Sequence, residues 1–103
     1  MKVEKIGLIV NDTNDSWECM RSVFGLLTEN YWCKLFMVDS AVQLPPEMSE
    51  EEFLEYLEMF VEDMEADFIT TVKADAEKYE YLVYKPLEDM IPQMRECELL
   101  IPF

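Results

Sequence analysis

Three thiols, a few aspartates and no histidine define the chemistry open to this chain. Cys19, Cys33 and Cys97 are its only sulfur nucleophiles, and a thiol attacks only when it is exposed and ionised. Cys19 is the leading catalytic candidate. The apolar spacing around it predicts a helix whose first turn it occupies, where the positive helix end lowers a thiol pKa. Asp12, Asp15 and Glu18 lie close in sequence and push the other way. Cys33 and Cys97 fall at the starts of predicted strands, away from that helix start. The default reading of each is a small buried apolar residue. Three thiols with no CxxC spacing cannot all pair within one chain, so reduced cysteines in a cytoplasmic protein are expected. The missing histidine removes Ser-His and Cys-His nucleophile pairs and the commonest zinc ligand.

The aspartates offer a second chemistry. Asp12, Asp15 and Asp39 would suit magnesium or calcium if the ends of the first two strands converge. A phosphotransfer site of that kind also needs an aspartate after the third strand, where Val72 stands. Gly7 and Gly25 are the only glycines, so neither a GxGxxG turn nor a P-loop can be written. No metal and no cofactor are therefore expected. The polar turn Asn11-Asp12-Thr13, with Asp39, Ser40 and Lys73 from the neighbouring strand ends, forms a candidate small-ligand contact set. The same residue types are the default caps and turn formers, which is the competing explanation.

Charge narrows the partners. The 103 residues carry 23 acids and 8 bases, a net −15, and a surface so negative repels phosphate backbones and anionic lipid. Neither nucleic acid nor a membrane is expected as a partner, and no apolar run approaches spanning length. The segment before Asn11 is too short for a secretory signal. Between Lys34 and Lys73 there is no base, and residues 47–67 hold ten acids. Glu51, Glu55, Glu58 and Glu62 recur at helical spacing and form a candidate face for a basic partner. A solvated helix surface explains the same run without any partner.

These residues need elements to position them. Residues 5–10 are a continuous apolar run, as in a strand covered on both sides. Residues 14–29 carry Trp17, Met20, Phe24 and Leu27 on one helical stripe, with Asp15 and Glu18 able to cap the start and Asn30 a left-handed stop. Trp32–Val38 reads as the second strand. Ser49 and Glu52 form a capping box, flanked by a Met48–Phe53 staple. The helix that follows would bury Phe53, Leu54, Leu57, Phe60, Val61 and Met64. Residues 66–72 read as a third strand, 73–80 as a short helix or loop, and 81–84 as a fourth strand. A last helix over 89–97 would hold Pro92 in its first turn, and 98–103 closes as a fifth strand. This order predicts a single α/β domain over 1–103, a small flavodoxin-like three-layer sandwich with a mostly parallel five-stranded sheet.

The turn Asn11-Asp12-Thr13 with Ser16-Trp17, the stretch Lys34-Leu-Phe-Met-Val-Asp-Ser-Ala-Val42, and the segments Leu87-Glu-Asp-Met-Ile91 and Leu100-Ile-Pro-Phe103 together resemble the DsrE/DsrF-like family. The resemblance implies a small α/β fold, assembly into homo-oligomers (trimers or hexamers) and a place in intracellular sulfur relay, with sulfur carried as a persulfide on a cysteine after the third strand. The matching stretch here is Ile69-Thr-Thr-Val72-Lys73-Ala-Asp75, with no cysteine. The resemblance thus implies a sulfur-carrier relative without the usual nucleophile. The alternative is a non-catalytic binding or assembly module.

Overall fold

The computed structural model describes residues 5–29 and 31–103. The expected stop at Asn30 lies outside the described residues, as do residues 1–4. Strand β1 (Lys5–Val10) runs through the middle of the sheet because its apolar run can be covered on both sides. It pairs in parallel with β2 (Trp32–Met37) and with β5 (Leu99–Pro102), so that Leu8 lies between Leu35 and Ile101. β2 pairs with β3 (Asp67–Thr70), and β3 with β4 (Leu82–Tyr84), again in parallel.

The chain is thus an α/β protein with a five-stranded, wholly parallel sheet of order β4-β3-β2-β1-β5, a small flavodoxin-like sandwich. Flavodoxin itself reverses strand order between β1 and β3, whereas here the reversal lies between β1 and β5. The crossing to the far side of β1 is made by the segment holding α4 (Leu87–Glu96).

Side chains alternate along each strand and feed two unequal cores. On one face Leu8, Val10, Leu35, Met37 and Phe68 pack with Met20 and Val23 of α1 (Ser16–Thr28) and with Phe53 and Leu57 of α2 (Glu50–Glu58). Tyr79, just beyond α3 (Lys73–Lys78), joins them with its ring 4.9 Å from that of Phe53. On the other face Phe36 and Ile69 meet Met90 of α4. Gly7 permits this second layer to close on the sheet. A Cβ there would lie 2.6 Å from Leu100, 2.9 Å from the Cys97 sulfur and 3.0 Å from Phe36.

Local departures have identifiable causes. The capping box forms as expected, with Ser49 Oγ accepting from the Glu52 N–H at 3.1 Å. At the first helix the cap is different: Asp12 accepts from the Asn14 N–H at 3.0 Å and starts a 3₁₀ turn over Thr13–Asp15, while the Asp15 side chain makes no cap bond. After α2 the helix widens into a π segment, Met59–Asp63, with the Met64 N–H bonding the Met59 carbonyl at 3.1 Å. Phe60 continues the buried stripe of Phe53 and Leu57, while Leu54, expected to be buried, lies on the flank of that stripe and is exposed. α4 starts two residues earlier than expected, at Leu87, which leaves Pro92 inside the helix and not in its first turn. Among the described residues no helix is long and apolar enough to cross a membrane.

Candidate functional site

The carboxyl ends of β1, β2 and β3 bring together the polar turn at Asn11–Asp15, the loop over 38–49, and Thr70–Lys73. A long loop over this edge needs partners for its backbone N–H groups. Side chains of the flanking elements supply them. Thr71 Oγ1 accepts from the Asp39 N–H at 2.8 Å, Thr13 Oγ1 from Ala41 at 3.0 Å, Asp75 Oδ2 from Val42 at 2.7 Å, and Ser16 Oγ from Gln43 at 3.0 Å. Asp39 adopts a left-handed backbone (φ 50°), which aspartate tolerates, and its carboxylate accepts from the Thr71 hydroxyl at 3.3 Å. Four donors of one loop are thereby tied to the 3₁₀ turn, α1, α3 and the bend after β3.

This clasp places the residues expected to bind a small ligand. Asn11 is exposed, and Asp12 spends one oxygen on its cap. Thr13 and Asp39 are held in the clasp. Ser40 is fully buried, and its hydroxyl is the buried side-chain polar atom without a partner among the described residues. Lys73 opens α3 on the surface with its ammonium 6.0 Å from the centre of the Tyr84 ring, at the outer limit of a cation–π contact. Asp12, Asp15 and Asp39 make no cation site, because among the described residues no three acidic, cysteine or histidine side chains gather closely enough. Asp12 faces its own turn and Asp39 faces Thr71.

The thiols sit in the cores. Cys19 does fall in the first turn of α1, but on its inward side, fully enclosed beside Met20 and Val23. Burial, reinforced by the charge of Asp15, pushes its pKa from 9.0 up to about 12. Cys33 is buried likewise and pushed up to about 11, by burial first and then by Cys97. Cys97 is half-buried on the other face. Its pKa is raised by burial and pulled back in part by Lys34 and Lys5. The helix-start advantage of Cys19 is outweighed because an enclosed thiolate loses its hydration.

The acidic run forms the exposed side of α2. Glu51, Glu55 and Glu58 lie together on the α-helical part and are exposed. Glu62 falls in the π segment, where the changed phase carries it to Tyr81, whose hydroxyl donates to it at 3.1 Å. Sequence spacing missed a feature beside this face. Trp17 of α1 and Tyr56 of α2 meet edge to face at 5.5 Å, and Tyr56 stacks on Phe60 at 6.1 Å. Tyr56 lies outside the buried stripe of α2 and remains 41% exposed. The useful signal lay in the position of Tyr56 one residue after Glu55, on the polar flank of the stripe. No protein-family model matches the chain, and no curated protein is similar to it.

Proposed function

We propose that the chain is a non-catalytic binding or assembly module that docks a basic partner through α2, in a cytoplasmic setting that keeps its thiols reduced. One observation carries this reading. α2 presents Glu51, Glu55 and Glu58 to solvent, and among the described residues the ion pair made by this helix is Lys78 with Glu50, at 2.6 Å. Such a run of like charges costs on the order of 0.2–0.5 kcal/mol for each neighbouring pair. A cationic partner relieves that repulsion on binding. The enclosed Cys19 supports the same choice, since sulfur transfer needs an accessible thiolate.

In descent we place the chain beside the DsrE/DsrF-like sulfur-relay proteins, on the resemblance of its strand ends. Apolar side chains left exposed on α4, on β5 and just beyond it, Leu87, Ile91, Leu99 and Phe103, support a homo-oligomer as its assembled form. The docking reading is tested with a defined polycation, a lysine-rich decapeptide, by fluorescence anisotropy. Binding should weaken steeply with salt and disappear when Glu51, Glu55 and Glu58 are all replaced by lysine. Unchanged binding by the reversed protein would refute the role of α2.

A further inference from the structure

The outer seam between α1 and α2 is more specific than a charged surface. Trp17 and Tyr56 stand at its centre with their rings inclined at 61°. On the Tyr56 side lies a shallow cavity of about 370 Å³ walled by Glu52, Glu55, Tyr56 and Met59. On the Trp17 side lies a second, of about 220 Å³, whose walls include Glu18, Leu44, Pro45 and Pro46. Tyr56 walls the first and Trp17 the second, so the ring pair, 5.5 Å between centres, stands between them along one seam, the groove. Every charged side chain lining it is a carboxylate: Glu18, Glu52 and Glu55.

Packing alone does not explain the rings. Phe53 and Phe60, their neighbours, are buried to 0% and 2% exposure, whereas Tyr56 keeps two fifths of its surface in water. Glu52 is oriented by the capping box, with its carboxylate 3.3 Å from the Ser49 hydroxyl, so one rim of the groove has its charge positioned by the helix start. An exposed aromatic face between carboxylates attracts a cation by both quadrupole and charge. It repels an anion, and a neutral apolar ligand would bury the carboxylates without compensation.

Resting on the reading of α2 as a docking face, we propose that this groove recognises an arginine side chain in an extended peptide, with the guanidinium stacked on Tyr56 between Glu52 and Glu55 and the following apolar residue laid against Trp17 and Pro45–Pro46. Arginine fits better than lysine. Its planar, weakly hydrated fork stacks on a ring and meets carboxylates in two-point fashion, while an ammonium keeps its water. The groove thus selects, where the acidic face only attracts.

The chain has two tryptophans, so a Trp32→Phe background leaves Trp17 as the sole reporter in the groove. The probes are two octapeptides alternating with leucine, one built on arginine and one on lysine, titrated at fixed salt. The arginine peptide should change Trp17 emission and bind at least tenfold more tightly than the lysine peptide. Tyr56→Ala should erase that preference, and Tyr56→Phe, which keeps the ring face, should retain it. Glu55→Gln should weaken the arginine peptide by about tenfold, the size of one partly exposed charged hydrogen bond; thermal melts of each variant check the fold. Equal affinity for the two peptides, insensitive to Tyr56→Ala but lost on reversing Glu51 and Glu58, would overturn the groove and leave the acidic-face reading standing. No binding of either peptide would overturn both.

Discussion

The two faces of the sheet are built to different depths. Among the described residues, α1, α2 and the segment after α3 close over one face with Phe53, Leu57, Phe60, Phe68 and thirteen other buried apolar residues. Of the described elements the opposite face has α4 alone, with Phe36, Ile69 and Met90 as its buried core. That thinner layer also carries a proline inside its helix, and a polar tie in which Lys34 reaches Gln93 at 3.4 Å and Glu96 at 3.6 Å. The contrast follows from strand order. Four strands in sequence, β1 to β4, send their three connections over one side, and the single return to β5 is left to cover the other. The deep face can therefore spend its outer surface on exposed acids and rings, because its stability comes from beneath.

The widest difference between the faces should appear in thiol reactivity. A thiol held near pKa 12 instead of 9.0 is about a thousandfold less ionised at neutral pH, and Cys19 is enclosed as well. A small maleimide should label Cys97, on the thin face, and leave Cys19 unmodified when the native protein is weighed by mass spectrometry. Incubation with a sulfane-sulfur donor should likewise add no persulfide to Cys19; an adduct lost in Cys19→Ala would reinstate the sulfur-carrier reading. The sign for stability follows from the raised folded-state pKa. The stabilisation from keeping Cys19 neutral is complete below pH 9 and lost as pH climbs toward 12. Part of the alkaline fall in melting temperature should therefore vanish in Cys19→Ala.

Core truncation measures the same contrast in energy. Phe53→Ala removes a ring packed on Trp17 and Tyr79 and should cost about 3–5 kcal/mol in urea unfolding. Met90→Ala should fall at the lower end of about 2–5 kcal/mol, since a lone helix can settle onto the sheet and shrink the cavity. If Met90→Ala proved the costlier, the two-depth picture would fail. Gly7→Ala tests the thin face from inside. The new methyl meets Leu100, Cys97 and Phe36 at or below 3.0 Å, and overpacking of this kind costs about 1–3 kcal/mol. It should also speed maleimide labelling of Cys97 by lifting α4.

Much of this was legible in the residues. The run Lys5–Val10, the Ser49 and Glu52 pair, and the helix stripes named their elements because each signal is local. Strand order was not legible, since neither the β1/β5 reversal nor the parallel pairing of β5 leaves a mark in spacing. The π segment escaped because its sequence, Met59–Asp63, keeps the apolar content of an α-helix while shifting its phase, and Glu62 within it bonds Tyr81 instead of continuing the acidic face. The hydrogen bonding at the strand ends was not legible for a related reason. Thr13, Asp39 and the unremarked Thr71, Ser16 and Asp75 are polar residues whose partners lie about thirty residues away, so their use in holding the loop over 38–49 leaves no local mark. Cys19 falls in the predicted helix turn and is enclosed, as the default reading of a lone thiol has it.

The smallest test concerns how α2 is held on the deep face. Ser49→Ala removes the side chain that accepts from the Glu52 N–H and should cost about 1 kcal/mol, a fall in melting temperature of about 4–8 °C for a domain near this size. If α2 is anchored by Phe53 and Leu57, buried to 0% exposure, the loss stops there and the urea slope is unchanged. A much larger loss would mean that the helix end, and not the packed face, fixes α2. The same substitution separates stability from recognition, because Glu52 both completes the cap and walls the groove. Freed from Ser49, its carboxylate would have to be ordered by the ligand, so arginine-peptide affinity should drop severalfold while the lysine peptide, drawn by overall charge, is unaffected.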